Sequence, residues 1–227
     1  MRIVIAGGHG QIALQLSRLA VSRRDEVVGL VRNPDHVADL TTIGVQALVR
    51  DLESAGVADL AGDLTGADAV VFSAGAGPGS GAPRKDSVDR AAAVLLADAA
   101  QRAGVPAYLL VSAMGVDSVR DGASPEGVDD VFVAYLRAKL AAEQDVLARS
   151  GLRVCVLRPG ALTDDAPTGR VHLAASLGRG AVPRADVATV CLALLDRLHR
   201  PTDAAALTPV LELVGGEVAV AEAVAAV

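Results

Sequence analysis

A tyrosine and a lysine four residues apart are the side chains of this sequence best suited to proton transfer. Tyr135 and Lys139 fall within a helical pattern, and residues i and i+4 of a helix share one face. Because an ammonium group stabilises a phenolate, we expect Lys139 to lower the pKa of Tyr135 toward neutrality. The pair then predicts a general acid/base for a carbonyl or an alcohol. The alternative interpretation is a partly buried tyrosine beside a solvated lysine.

A serine ends an apolar run upstream of this pair. Ser112 follows Leu110 and Val111, in a run with the composition of a buried strand. Ligands of such sheets bind beyond the carboxyl ends of the strands, so we expect Ser112 to face the same cleft as Tyr135. A hydroxyl group there can hold the substrate oxygen beside the phenol. Ser112 is therefore predicted to orient the substrate.

The N-terminal region has the order strand, glycine turn, helix start that suits a dinucleotide phosphate. The spacing fits G-x-G-x-x-G/A through Gly8, Gly10 and Ala13, or the variant G-x-x-G-x-x-G through Gly7. Glycines let the backbone approach a pyrophosphate, and the first N–H groups of the helix favour negative charge. The predicted phosphate-binding residues are Gly7, Gly8, His9, Gly10, Gln11 and Ile12. The alternative is that the glycines serve packing only.

Three further strand ends are predicted to border the same cofactor. Arg32 follows the second strand, where a site that prefers NAD usually carries an acid. Since a guanidinium group pairs with a 2'-phosphate, NADP is favoured, with NAD as the alternative. Arg32 as a solvated surface charge is the other interpretation. The remaining candidates are Asp51 and Leu52 beside the adenine, and Ser73, Ala74 and Gly75 along the cofactor backbone.

Apolar runs of strand length alternate with helical patterns along the chain. Strands are predicted at about residues 2–6, 26–31, 45–49, 68–73, 106–112 and 152–158, and helices at about 11–23, 34–42, 55–61, 85–103, 128–150 and 185–198. A strand near 209–214 and a short helix near 217–226 follow. The alternation predicts an α/β fold, a doubly wound parallel sheet of the Rossmann type, in one domain over residues 1–227. The irregular segment 159–183 is predicted to form substrate-side loops in a small C-terminal region.

Composition and charge restrict the partners. The net charge of −6 argues against a nucleic-acid surface, and the apolar stretches are too short or interrupted to span a membrane. The first strand lacks the flanks of a signal peptide, so we expect a cytoplasmic protein with a small-molecule substrate, either a monomer or a homodimer. Cys155 and Cys191 lie in apolar runs and are interpreted as core thiols. The four histidines are scattered, and no metal site is predicted.

The glycine turn, Ser112 and the Tyr135–Lys139 pair together resemble the short-chain dehydrogenase/reductase superfamily. The closest likeness is to its atypical members, which include NmrA-like and epimerase/dehydratase-type NADP-binding proteins. This likeness is carried by Leu30-Val31-Arg32-Asn33, Leu157-Arg158-Pro159-Gly160, Leu162-Thr163-Asp164 and Arg184-Ala185-Asp186-Val187-Ala188. The resemblance implies that Lys139 also holds the nicotinamide ribose, that Pro159 borders the cofactor, and that Asp89 takes the place of a proton-relay Asn.

The sequence departs from the superfamily pattern in places that bear on activity. Ala13 replaces the third glycine, His9 stands where Thr is common, and Asp89 puts the usual relay in question. The chain is also short for a sugar-nucleotide epimerase. Two hypotheses follow: an NADP(H)-dependent oxidoreductase acting on a small carbonyl, alcohol or quinone-like substrate, or an NmrA-like protein that senses NADP(H) without turnover.

Overall fold

A computed structural model describes residues 1–77, 79–200, 202 and 207–227. Its strands are β1 Arg2–Ala6, β2 Glu26–Val31, β3 Gln46–Val49, β4 Ala69–Phe72, β5 Ala107–Val111, β6 Arg153–Pro159, β7 Ala161–Thr163, β8 Arg170–Ala174, β9 Ala181–Pro183, β10 Val210–Gly215 and β11 Val218–Ala219. Its α-helices are α1 Gln11–Ser22, α2 Val37–Thr42, α3 Val57–Asp63, α4 Ala82–Arg84, α5 Ala92–Ala103, α6 Asp130–Leu147, α7 Arg184–His199 and α8 Val220–Ala225. A π-helical turn, Lys85–Ala91, joins α4 to α5.

The central sheet is doubly wound, which confirms the predicted fold class. Its strand order is β11-β8-β10-β6-β5-β4-β1-β2-β3. Strand β1 pairs in parallel with β2 on one side and with β4 on the other. After β3, the chain therefore crosses back over β1 and continues the sheet on its other side, which makes a switch point beside β1. Ligands bind at such a switch point, beyond the carboxyl ends of the strands. Among the described strands, antiparallel pairing occurs at one edge, where β8 is antiparallel to both β10 and β11.

Both faces of the sheet are buried, which is why the strands read as continuous apolar runs. Ile3 and Ile5 of β1 pack in the same core as Leu16 of α1 and Leu194 of α7. Val4, one residue along, lies in the core on the opposite face, where α3 and α5 contribute their buried leucines. The alternation of strand side chains therefore gives one domain with two helical layers.

The two cysteines are buried in the core that α7 shares with the sheet. Both thiols are free, and both have fully buried side chains. Burial raises the pKa of the Cys155 thiol to about 12 and raises that of Cys191 as well. Because the thiolate is the reactive form, burial disfavours reactivity at both cysteines. The interpretation as core thiols is confirmed.

Three predicted segments differ from the observed elements. The segment 159–183, predicted as loops, contains β7, β8 and β9, and β7 pairs with β9 in a small parallel sheet. The helix predicted near 217–226 begins at Val220, because residues 218 and 219 pair with β8 as β11. The helix predicted over 85–103 starts with the π-helical turn. Within the described ranges, no helix combines the length and the apolar character needed to cross a bilayer.

Candidate functional site

An open cleft of about 300 Å³ lies at the switch point of the sheet, beyond the ends of β1, β2, β3 and β4. It is the place where the fold would bind a dinucleotide. The predicted cofactor residues that line it are Gly7, His9, Gly10, Arg32, Asp51, Leu52, Ser73, Ala74 and Gly75. The structure thus brings together residues at the ends of four strands, each of which was predicted separately from the sequence to border the cofactor.

The glycine turn leaves room for a backbone-bound anion. Gly7 has φ +78°, and a Cβ there would come within 2.7 Å of the Cα of Ala74. The N–H of Gly10 donates to the carbonyl of Gly7 at 2.8 Å, and a Cβ on Gly10 would lie 3.2 Å from that oxygen. Helix α1 has no side-chain cap and no acid in its first turn. Its first N–H groups are therefore suited to a pyrophosphate, and the turn fits a dinucleotide.

Five of the predicted cofactor residues lie outside the lining of this cleft: Gly8, Gln11, Ile12, Lys139 and Pro159. Gly8 packs on β2, where its Cβ would be 2.8 Å from the Cα of Gly29, and Ile12 is buried in the core. Gln11 is exposed on the first turn of α1. The carbonyl of Pro159 accepts from the N–H of Met114 at 3.0 Å. Packing or backbone pairing is the role that the structure supports for Gly8, Ile12 and Pro159, and for all five residues cofactor contact stays a prediction.

One end of the cleft contains an ionic cluster that the sequence reasoning missed. Glu53 Oε2 accepts from Nη1 of Arg32 at 3.2 Å and from Nε and Nη2 of Arg84 at 3.3 and 3.2 Å. The hydroxyl of Ser87 donates to Oε1 at 2.6 Å. Both arginines and Glu53 line the cleft. Glu53 lies two residues beyond the predicted Asp51, but Arg84 follows a loop whose path the sequence does not indicate.

Two more polar residues that line the cleft, Arg50 and His36, were not predicted from the sequence. Arg50 makes a bidentate ion pair with Asp63, with N···O distances of 2.7 and 3.0 Å. The ring of His36 stacks on the ring of His9, with centroids 3.6 Å apart and planes within 10°. His9 Nε2 also lies 2.8 Å from a carboxylate oxygen of Asp39. These contacts hold His9 at the mouth of the cleft, close to the glycine turn.

The predicted proton-relay residues Tyr135 and Lys139 are not among the residues that line this cleft. Asp129 caps α6 by accepting from the N–H groups of Val131 and Phe132, so Tyr135 and Lys139 fall within the first turns of that helix. The ammonium of Lys139 is 5.8 Å from the centre of the Tyr135 ring. Lys139 is buried, and its ammonium is 3.4 Å from Oδ1 of Asp89.

Asp89 connects the relay residues to the cleft. Its other oxygen, Oδ2, accepts from the N–H of Ala76 at 3.2 Å, and Ala76 lines the cleft. Asp89 is completely buried and lies on the π-helical turn, which packs against α6. The structure therefore brings together Asp89, Lys139 and Tyr135, three of the four predicted catalytic residues.

The expected effect of Lys139 on Tyr135 is wrong. Burial raises the pKa of Tyr135 above its ordinary value, and the carboxylates of Asp89 and Glu143 raise it further. Burial lowers the pKa of Lys139, and the adjacent Asp89 partly opposes that change. Because Asp89 neutralises much of the field of the ammonium, desolvation dominates at the phenol. Tyr135 is thus a protonated phenol in this arrangement.

The hydroxyl of Ser112 is engaged by a buried ion pair, contrary to the expectation that it faces the cleft. It donates to Oε1 of Glu143, which is 1% exposed. Arg158 Nε lies 3.1 Å from both oxygens of Glu143, and its Nη1 lies 2.7 Å from Asp117. Ser112 is not among the residues that line the cleft. Its hydroxyl group therefore takes part in the hydrogen-bond network that joins the end of β5 to α6 and β6.

Lys85 is a further cation beside the candidate relay, and it was not predicted. Its ammonium lies 5.4 Å from the centre of the Tyr135 ring and donates to the carbonyl of Gly77 at 2.9 Å. Lys85 and Lys139 are the two lysines of the sequence, so both lie beside one tyrosine. Residues on the π-helical turn are hard to assign to a face from sequence, since the helical period is broken there.

Comparisons with known proteins agree with this geometry. A family described as NAD(P)H-binding matches residues 7–198. The uncharacterized sugar epimerase YhfK of Bacillus subtilis (strain 168) is 31% identical over 224 residues, which cover 98% of each chain. A structure from Bacillus halodurans, provisionally named an NAD-dependent epimerase/dehydratase, has a TM-score of 0.85 and 28% identity over the full length of both chains.

A more distant structure shares the fold. ChuY from Escherichia coli O157:H7, named an anaerobillin reductase, has a TM-score of 0.73 and 24% identity and covers 96% of this chain and 98% of its own. The glycine turn, the cleft at the switch point and these matches confirm the resemblance stated above. The chain belongs to the NAD(P)H-binding family, within the atypical short-chain dehydrogenase/reductase superfamily.

Proposed function

We propose that this protein is an NADP(H)-dependent oxidoreductase that reduces a small carbonyl or quinone-like substrate. The observation that carries the proposal is the contact of Asp89 with both the cleft wall and Lys139, beside Tyr135. Through Asp89 and Lys139, this contact connects the dinucleotide cleft to a titratable phenol. The reductase name of ChuY, a protein of the same fold, is consistent with this reaction class.

The preference for NADP(H) rests on two guanidinium groups at one end of the cleft. Arg32 and Arg84 both line it, and both point donors at the same carboxylate oxygen. A 2'-phosphate is an anion that such donors recognise, whereas a 2'-hydroxyl group is neutral. The glycine turn and the N-terminus of α1 would hold the pyrophosphate, and Asp51 and Leu52 would border the adenine.

In the proposed mechanism, the residues of this chain hold and move one proton. A bound nicotinamide cofactor supplies the hydride. The phenol of Tyr135, which burial keeps protonated, donates its proton to the substrate oxygen as negative charge develops there. Asp89 holds the ammonium of Lys139 beside that phenol. The raised pKa means that Tyr135 starts in the protonated form that reduction requires.

Turnover on a panel of carbonyl compounds and quinones tests this proposal. With NADPH, the wild-type protein should reduce at least one class, and Tyr135→Phe should lower kcat by about 10²- to 10⁴-fold while NADPH affinity changes little. Phe132→Leu, an aromatic change beside Tyr135 that leaves the hydroxyl in place, is the matched control. Wild-type activity that survives Tyr135→Phe would contradict the role of the phenol.

A second candidate function is NADP(H) sensing without turnover, and one observation favours it. The groups of the expected relay are already engaged, since Ser112 donates to Glu143 and Lys139 pairs with Asp89. A protein of this kind would bind NADPH tightly and reduce no acceptor on the panel. The same turnover experiment, combined with calorimetry, separates the two functions.

A further inference from the structure

Glu53 accepts hydrogen bonds from three side chains at one end of the cleft. Arg32 follows β2, Arg84 belongs to α4, and Ser87 lies on the π-helical turn. Together they give Glu53 four donor contacts of 2.6–3.3 Å, three of them to the single oxygen Oε2. Two positive side chains thus converge on one carboxylate.

The chemistry of these donors suits a phosphate at least as well as a carboxylate. Guanidinium groups bind both anions through charge-assisted hydrogen bonds. A phosphate monoester offers three acceptor oxygens and a charge near −2 at pH 7, against two oxygens and one charge for Glu53. A ligand phosphate that reaches the end of the cleft would therefore compete with Glu53 for the same donors.

The contacts of Glu53 are weak enough to exchange. The side chains of Arg32, Arg84 and Glu53 are 55%, 38% and 28% exposed, so solvent screens their ion pairs. The arginine donors lie 3.2–3.3 Å from Oε2, at the long end of the hydrogen-bond range. By contrast, the pair of Arg158 and Glu143 is buried.

We propose that Glu53 is an internal competitor for the phosphate of the cofactor and thereby sets the selectivity of the cleft. It occupies Arg32 and Arg84 in the free protein and yields them to the 2'-phosphate of NADP(H). NAD(H), which lacks that phosphate, leaves the ionic cluster intact. This inference rests on the proposed preference for NADP(H), and it assigns Arg84 as a second phosphate-binding residue.

Removing the charge of Glu53 should raise the affinity for ligands with a 2'-phosphate. Glu53→Gln keeps the shape and the hydrogen-bonding oxygen but frees the charge of both arginines. We expect adenosine 2',5'-bisphosphate to bind about three- to tenfold more tightly to this variant, since its 2'-phosphate no longer competes with the Glu53 carboxylate for the two guanidinium groups. Affinity for adenosine 5'-phosphate should change by less than about twofold, because it presents no 2'-phosphate to the pair.

Calorimetry with these two nucleotides measures the effect without any turnover. Glu222→Gln, an exposed glutamate on α8, is the matched control for the loss of one negative charge and should leave both affinities unchanged. Arg84→Gln should weaken the bisphosphate several-fold. If Glu53→Gln binds the bisphosphate no better, or more weakly, Glu53 positions the arginines for binding instead of competing with the phosphate, and the proposal is overturned. Equal gains for both nucleotides would overturn it too.

One more variant separates this proposal from the preference on which it rests. If Arg32→Gln leaves the ratio of the two affinities unchanged, the phosphate does not bind at Arg32 and the NADP(H) preference itself fails. If Arg32→Gln lowers the ratio while Glu53→Gln does not raise it, only the competitor role of Glu53 fails. Circular dichroism of each variant confirms that the sheet and helices are retained.

Discussion

The phenol of Tyr135 and the ammonium of Lys139 lie close together, and burial acts on both. It raises the pKa of the phenol and lowers that of the ammonium, so each group is pushed toward its neutral form. Asp89, 3.4 Å from the ammonium, and Glu143 oppose the lowering of the Lys139 pKa. The raised pKa of Tyr135 keeps the phenol protonated near neutral pH, so it can donate a proton, although it is a weaker acid than a free tyrosine.

This direction of the shift predicts the pH dependence of reduction. A proton donor works below its pKa, and the pKa of Tyr135 lies above its ordinary value of 10.0. We therefore expect kcat/KM for reduction to stay level between about pH 6 and about pH 9. The profile is measured with NADPH and an active carbonyl substrate. A fall in rate through pH 7–8 that Tyr135→Phe removes would mean that Lys139 lowers the pKa after all.

Arg32 provides the second prediction at this scale. Arg32→Ala should weaken NADPH by about 1.5–3 kcal/mol, the value of a charge-assisted hydrogen bond, and leave NADH nearly unchanged. Calorimetry with both cofactors measures the difference. Arg24→Ala, at an exposed arginine on the turn before β2, serves as the control. Equal affinities of the wild-type protein for NADPH and NADH would contradict the preference.

The glycine turn between β1 and α1 is an element whose geometry decides binding. Gly10→Val would place a branched side chain 3.2 Å from the carbonyl of Gly7, in the space beside Ser73. We expect it to abolish NADPH binding and to leave the circular dichroism spectrum unchanged. Gly62→Val is the control, because a Cβ at Gly62 meets no heavy atom within 4 Å. A variant that unfolds would show that Gly10 serves packing.

Helix α6 is joined to β5 and β6 by a buried charge. Glu143 is 1% exposed and contacts both Ser112 and Arg158. Glu143→Gln leaves Arg158 buried without its main partner, so we expect a loss of about 3–5 kcal/mol in the free energy of unfolding. Asp98→Asn, which removes a half-exposed partner of Arg149, should cost less than about 1 kcal/mol. Urea unfolding compares the two, and similar losses would contradict this account.

Helices and strands could be predicted from the sequence where their burial leaves a clear pattern of apolar residues. Strands such as β4 and β5 are buried on both faces, so their apolar runs mark them clearly. Strand β8 could not be recognised, because its burial pattern is irregular and its pairing with β10 depends on distant residues. The cleft residues at strand ends could be predicted, because ligands of parallel sheets bind beyond the carboxyl ends of the strands. Glu53 and Arg84 could not, since only the folded loops bring them together.

At the scale of the whole molecule, one sheet couples the two cores. The core of α1 and α7 and the core of α3 and α5 share every central strand, so neither is complete without the other. The domain should therefore unfold in one transition. The cofactor cleft is built from the ends of β1, β2, β3 and β4, which are neighbours in that sheet. Binding there should therefore stabilise the entire domain against unfolding.

This coupling predicts the thermal effect of the cofactor. A ligand that binds only the native state at about 100 times its Kd stabilises that state by about 2.7 kcal/mol. For a domain of 227 residues, this corresponds to a rise in Tm of about 5–10 °C. Differential scanning calorimetry with NADPH should show one transition that moves as a whole. Gly10→Val should melt without a shift, because it retains the cores but has lost the site. A second transition that NADPH leaves in place would show instead that part of the chain unfolds independently of the cleft.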